Sequence, residues 1–402
     1  MIEQGQPAAA AQASTTHTPA AGRRIWPLYA AGFTTAFGAH AIAASLGSFT
    51  SSHMQSLLTL GVLLALYDGA EVLLKPVFGG LADRIGPRPV LLAGLAGFAM
   101  SSAAFVLAND PGWLWLARIG QGAAASAFSP AASVMVARLS PKERRGRSFG
   151  SYGFFKSIGY TAGPLLGGLL AAIGGLTLLF TATAILAAGV AIWAALRVPA
   201  VAPLPRARQA VADLARRMTG GSFVRPTTAL AAATAALSVG VGFLPVTGAG
   251  AGLSPVATGA AVSVLALCAA IVQPFAGRAV DSGRITIRVG ICTGLVTTAA
   301  GLGAATLGGI PGILLAALLI GAGTAMITPL AFAALAAASP ASRLGQTMGA
   351  AEVGRELGDA GGPLLVGTIA ALTTLSTGYA ALAISIAAAT AAIALTRTSP
   401  RQ

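Results

Sequence analysis

Charge is what this chain has least of. Only 9% of its 402 residues are Asp, Glu, Lys or Arg, where a soluble domain carries about 25%. So few charges cannot cover a surface that faces water, which excludes a soluble enzyme or binding domain. Cysteine is also scarce. Cys268 and Cys292 both fall in apolar stretches and read as small core side chains rather than as a disulfide or metal site. Histidine is limited to His17, His40 and His53, which lack the spacing of a zinc site. None of the three lysines follows a glycine, so there is no phosphate-cradling Gly-Lys-Ser/Thr loop. No metal, cofactor or enzymatic chemistry is expected.

Apolar runs fill the space that charge leaves. Hydrophobic residues make up 55% of the chain and glycine contributes 52 residues. Twelve runs stand out, at 25–47, 55–79, 89–108, 112–137, 149–173, 176–196, 226–247, 255–277, 287–308, 311–337, 347–372 and 377–396. Each is about 20 residues long, the span of a bilayer core. The sequence therefore predicts an all-α polytopic membrane protein of twelve transmembrane helices, placed in the plasma (inner) membrane. The net charge of +14 is distributed against a nucleic-acid partner. Basic residues cluster between runs, at Arg138 to Arg147, Arg197 to Arg225 and Arg278 to Arg288, while Gly47 to Met54 and Asn109 to Gly112 contain none. By the positive-inside rule both ends lie in the cytoplasm.

The chain also repeats itself. At an offset of 199 residues, Ser140-Pro141 matches Ser339-Pro340, Pro130 matches Pro329, and Gly146, Gly150 and Gly159 match Gly345, Gly349 and Gly358. "GPLL" at Gly163 to Leu166 recurs at Gly362 to Leu365, and at an offset of 198 "KPVFGGLAD" from Lys75 aligns with "QPFAGRAVD" from Gln273. Such self-similarity predicts two parallel six-helix halves. The expected division is a disordered cytoplasmic tail at 1–22, a first half at 23–196, a basic cytoplasmic linker at 197–225 and a second half at 226–402.

Three motifs carry a family likeness. "GGLADRIGPR", with Gly79, Asp83, Arg84, Gly86 and Arg88, resembles the loop motif between helices two and three of the major facilitator superfamily; Pro87 stands where a basic residue is usual. A weaker copy contains Gly277, Arg278, Asp281 and Gly283. "RIGQG" at Arg118 to Gly122 is similar to that superfamily's helix-four signature, found in proton-coupled members. "GYTAGPLLGG", with Gly159, Gly163, Pro164 and Gly167, resembles its antiporter motif, and Gly358, Gly362 and Pro363 repeat the pattern. Physically, glycines four residues apart make a smooth face for close helix packing, and the proline bends the helix. The likeness covers the chain beyond its N-terminal tail. It implies the major facilitator fold, a gate latch in which Asp83 sits at the start of helix eleven, and a cavity lined from helices one, four, seven and ten. Phe33, Phe37, His40, Gln121 and Phe243 are its candidate lining residues.

The few charges inside apolar runs carry the functional reading, because each costs at least about 2.5–3.5 kcal/mol near a helix centre. Asp68, Glu71 and Lys75 share one helix face, and Glu352, Arg355, Glu356 and Asp359 share another. At 1.5 Å per residue, Lys75 lies roughly 12 Å and Asp68 roughly 22 Å from the level of Asp83. In the superfamily these two helices face each other. An antiparallel match then sets Lys75 near Glu352 or Glu356, Glu71 near Arg355, and Asp68 near Asp359. Lys156 aligns with Arg355 and faces either this network or the opposite interface; Arg118 is a further charge partner. Two bases cannot neutralise five carboxylates, so Asp68, Asp359, Glu71 and Glu356 are the candidate proton carriers. The expected protein is a monomeric, proton-coupled exporter of a small lipophilic molecule, of the drug:proton antiporter type. The alternatives are a proton symporter for a small metabolite and an exporter of a lipid-like substrate.

Overall fold

A computed structural model describes residues 25–52, 57–108, 111–203, 218–253 and 255–395. The N-terminal tail and residues 204–217 of the expected linker lie outside the described residues. Among those residues the chain is all helical: α1 (Trp26–Ser52), α2 (Leu57–Ile85), α3 (Pro87–Ala108), α4 (Pro111–Leu139), α5 (Arg145–Arg197), α6 (Gly221–Gly250), α7 (Pro255–Asp281), α8 (Ile287–Ala305), α9 (Gly309–Ala338), α10 (Leu344–Leu372) and α11 (Leu375–Leu395). Short 3₁₀ turns precede α5 and α10. The element α5 is broken at Gly174 and Gly175, where Gly175 has a φ of 67°, a left-handed value that glycine adopts at little cost. We call its arms α5a (145–173) and α5b (176–197).

Helices of this composition form because no other open backbone arrangement satisfies its own polar groups in hydrocarbon. Seven helical segments among the described residues are long and apolar enough to cross a bilayer. The charged α2 and α10 are not among them. Prolines bend the helices at repeat-related places: Pro76 and Pro274, Pro130 and Pro329, Pro164 and Pro363. Tight turns also recur, with Gly86 at φ 96° between α2 and α3 and Gly283 at φ 72° between α7 and α8.

The packing is written twice. In the first set, α1 packs on α5, α2 on α4, and α3 on α4 and α5; in the second, α6 packs on α10, α7 on α9, and α8 on α9 and α11. The small-residue faces set these distances. A methyl group at Gly159 would lie 2.5 Å from the Phe33 carbonyl oxygen, and one at Gly362 would lie 2.6 Å from that of Ala235. The two sets meet along two seams, α2 against α10 and α5 against α7. There glycine meets glycine: a side chain at Gly79 would strike the Gly345 carbonyl, and one at Gly277 would strike that of Gly146. These contacts close one end of the molecule, the end that carries the loop motif, which we call the gate end.

Candidate functional site

The α2·α10 seam is held by buried charge. Lys75, fully buried, extends its Nζ to Glu71 Oε2 at 2.6 Å on its own helix and to Glu356 Oε1 at 2.7 Å across the seam; Glu352 lies 3.7 Å away. Arg355 binds Glu352 through Nε at 2.9 Å and Glu356 through its second nitrogen. The Tyr67 hydroxyl donates to Glu71 Oε1 at 3.1 Å. Arg118 stacks over the Tyr67 ring, 4.5 Å from its centroid, and donates to the Leu63 carbonyl at 3.3 Å. One network therefore runs from Arg118 through Tyr67 to Arg355. Its core holds three carboxylates and two bases, so it has one negative charge to spare.

At the gate end two aspartates close the seams. Asp83 accepts from the Gly345 and Gln346 amides at 2.7 and 2.8 Å, at the N-terminus of α10. Asp281 accepts from the Gly146 and Arg147 amides at 3.0 and 2.6 Å, at the N-terminus of α5. Each carboxylate thus satisfies free amides and meets the positive end of a helix in the other set. Two arginines add a matching tie: Arg88 donates to the Ala195 carbonyl at 2.6 Å, and Arg288 to the Ile393 carbonyl at 3.2 Å and to that of Ala394. Arg84 is exposed beside Asp83.

Beyond this ion-pair network, which we call the lock, and away from the gate end, the seams part around a cavity of about 870 Å³. Its lining comes from α1, α2, α4, α5a, α6, α7 and α10, running from the level of Glu71, Lys156 and Arg355 out to Leu165, Gly259 and Pro363. Asp68 and Asp359 are exposed to it. The wall formed by Leu237, Val241, Val262, Leu265 and Ala266 is apolar. The His40 ring packs tilted against that of Tyr160 with centroids 4.3 Å apart, and its Nδ1 is 3.2 Å from the Ala36 carbonyl.

Asp68, Glu71, Glu356, Asp359, Lys156, Arg355, His40 and Phe243 all border this space, and Lys75 and Glu352 lie in the lock beneath it. Other sites fall elsewhere. Phe33 and Phe37 stack on each other in the apolar packing of α1 against α5, off the cavity wall. Gln121 is fully buried and donates to Ser102 at 2.9 Å, tying α4 to α3. Glu71 pairs with Lys75 in place of Arg355, because i, i+4 neighbours on one helix are already in reach. Sequence reasoning missed Tyr67 and Tyr160. It also missed the Arg288 tie, although Arg88 and Arg288 are each the second residue of a helix.

Two packed repeats around a central cavity, apolar on their outer faces, define a polytopic membrane protein with alternate sets of helices. The sequence profile of the Major Facilitator Superfamily matches residues 28–251 and again 227–402. The chain belongs to that superfamily. Among curated proteins it is 42% identical over 115 residues to the class C tetracycline resistance protein of Escherichia coli, 36% over 110 residues to the class H protein of Pasteurella multocida, and 28% over 114 residues to the quinolone resistance protein NorA of Staphylococcus aureus. These alignments span 27–29% of each chain. The fold is shared end to end with the human organic anion transporter MFSD10 (TM-score 0.78, 18% identity, 94% of this chain and 100% of that one). The transporter FucP crystallised in the outward conformation matches as well (TM-score 0.79, 15% identity, with the same coverage).

Proposed function

We propose that this protein is a proton-coupled secondary transporter that exports a small lipophilic molecule by alternating access between two six-helix halves, 23–196 and 226–402. In this reading α5a and α5b each span the membrane, giving twelve spans with both termini cytoplasmic, and the gate end faces the cytoplasm. The cavity then opens outwards. Protons from outside meet Asp68 and Asp359 first, and the Glu71–Lys75–Glu356 lock lies directly beneath. Protonation removes the spare negative charge and weakens the pairs that hold α2 to α10. Opening at the cytoplasmic end then releases the proton and admits the next substrate molecule.

The observation that carries this reading is the placement of two exposed carboxylates in a cavity whose closed end is an ion-pair lock. The names of the tetracycline- and quinolone-resistance relatives support export over uptake. A lipid-like substrate is the second reading, favoured by the apolar wall of α6 and α7. The test is purified protein in proteoliposomes with an imposed pH gradient and a panel of lipophilic cations, zwitterions and lipids. Substrate addition should move protons in the wild type, whereas Asp68→Asn and Asp359→Asn should lose that movement while still folding. Wild-type coupling in both variants would assign the charges to structure alone.

A further inference from the structure

The two seams are the same construction with different chemistry. Lys75 reaches Glu352 and Glu356 across α2·α10, whereas its repeat mate Gln273 donates to the Ser157 hydroxyl at 2.8 Å across α5·α7. A second difference lies on their outer edges at the gate end. On α5a, Gly146, Gly150 and Gly153 face α7. Helical rotation puts Lys156 on the cavity side of that line, and Arg147 and Phe154 on the opposite side, towards lipid. On α7, Leu267, Ile271 and Phe275 are about half exposed and lead to the exposed Arg278, at spacings that make one stripe. Gly277 abuts Gly146 and the Arg147 amide, so Arg147 and Arg278 flank a single contact, one from each packed set. On the other seam the places of Arg147, Arg278 and Phe275 are taken by Gln346, Gly80 and Val77.

Closing this seam brings positive charge together. The Arg278 guanidinium lies over the Phe275 ring, 4.8 Å from its centroid, which holds it against the lipid-facing stripe. Among the described residues neither the Arg147 nor the Arg278 side chain forms an ion pair. Asp281 offsets part of the charge, since Arg147 and Arg144 act on it at longer range, but its oxygens are engaged by the Gly146 and Arg147 amides. Glu143 is the other acid nearby. Segments 142–147 and 278–284 together hold six bases and two acids, so the closed seam carries an excess of like charge drawn from opposite sets. That excess opposes closure.

We propose that the outer edge of the α5·α7 seam binds the phosphate of an anionic glycerophospholipid between Arg147 and Arg278, with an acyl chain along Phe275 and Ile271, and that this lipid holds the gate end shut. The proposal rests on the alternating-access reading above, which sets the gate end at the cytoplasmic leaflet. Guanidinium groups suit phosphate because they donate to it in pairs. The apolar stripe directly below the arginines continues into a span that faces the bilayer, which selects a lipid over a soluble anion. The excess of bases, with Asp281 already engaged, selects an anionic headgroup over one that carries its own ammonium. Bound to both arginines, the phosphate bridges the two sets and gives the neutral seam an electrostatic tie of its own. Parting the seam separates the arginines and breaks that bridge.

The test uses the full-length protein, delipidated in detergent and titrated with phosphatidylglycerol, phosphatidylethanolamine or phosphatidylcholine of one acyl length, with bound lipid counted by native mass spectrometry. Phosphatidylglycerol should bind more tightly than either zwitterionic lipid. Arg147→Gln and Arg278→Gln should each weaken it about fivefold, and the pair about thirtyfold, while Arg147→Lys and Arg278→Lys keep most of the affinity. Spin labels on Pro141→Cys and Ser282→Cys, exposed on the two sides of this seam, with Cys268 and Cys292 replaced by Ser, report closure in nanodiscs. They should lie closer together with phosphatidylglycerol than in phosphatidylcholine alone, and the double Gln variant should lose that difference. Equal binding of the three headgroups, an undiminished preference in the double variant, a label distance indifferent to lipid, or closure by glycerol phosphate or inorganic phosphate in phosphatidylcholine discs overturns the proposal. Neither readout needs proton movement. Absence of substrate-driven proton flux in proteoliposomes would sink the transport reading and leave this one standing, and coupled flux without a lipid preference would do the reverse.

Discussion

Replacing Lys75 by Met removes the cation on which the whole α2·α10 seam converges. Lys75 is fully buried, and its loss leaves Glu71, Glu352 and Glu356 facing one another with Arg355 and, at longer range, Lys156 for compensation. Removing one partner of a buried pair costs about 3–5 kcal/mol, because the other charge stays buried and unpaired. That cost falls on the gate-closed state, where the seam is shut, and is relieved when α2 and α10 separate. At about 1.4 kcal/mol per tenfold, the shift towards the gate-open state is on the order of a hundredfold to several thousandfold. Spin labels on Ile85→Cys, at the end of α2, and Ala341→Cys, just before α10, both exposed positions on the gate end, with Cys268 and Cys292 replaced by Ser, report the separation by electron–electron resonance. The Lys75→Met variant should move the distance distribution outwards at neutral pH. Adding Glu356→Gln should return part of it, since that removes the stranded negative charge. A distribution identical to wild type in Lys75→Met would refute the claim that this cluster holds the gate.

The glycine contacts at the gate end give a sharper contrast. Gly79→Ala places a methyl group against the Gly345 backbone and should destabilise the closed form by about 1–3 kcal/mol as overpacking, whereas Gly80→Ala meets nothing within 4 Å and should leave the label distance and thermal midpoint unchanged. Asp83→Asn and Asp281→Asn each keep one acceptor oxygen and lose the charge that faces a helix N-terminus; each should weaken closure by about 1 kcal/mol, and the two should be similar in size in the same label assay. Arg288→Ala cuts the tie to the C-terminal carbonyls of α11 and should lower the thermal midpoint as much as Arg88→Ala does at α5b, checked by tryptophan-fluorescence melting.

Much of this site was legible because membrane chemistry makes charge rare. When only a handful of charged residues interrupt apolar runs, spacing alone puts Asp68, Glu71 and Lys75 on one face and Glu352 to Asp359 on another. The internal repeat then fixed which loops correspond, and Asp83 and Asp281 occupy equivalent positions on opposite helix ends. What spacing could not show is rotation about a helix axis. Phe33 and Phe37 lie on the same helix as His40, but they turn towards α5 and leave His40 on the cavity wall. Tyr160 was hidden for another reason. Its mate is Asp359, so the repeat conserves position without conserving chemistry, and a tyrosine in an apolar run gives no signal until its partner is known.

That difference between position and chemistry explains how the two seams divide the work. In the proposed cycle both part and close as the halves move, and both rely on the same glycine contacts and the same aspartate at a helix end. A hydrogen bond between Gln273 and Ser157 is indifferent to proton concentration over the physiological range, because neither group titrates there. A cluster of three carboxylates and two bases is not indifferent, since one proton changes its net charge from −1 to zero. If both seams carried such clusters, opening would require two protonation events on opposite sides of the cavity, and the fully open state would be reached only when both coincided. With charge confined to α2·α10, a single event biases the equilibrium, while the neutral seam supplies cohesion without a pH dependence of its own. The second side of the cavity is thereby left free of carboxylates, and that is the side on which Lys156 stands.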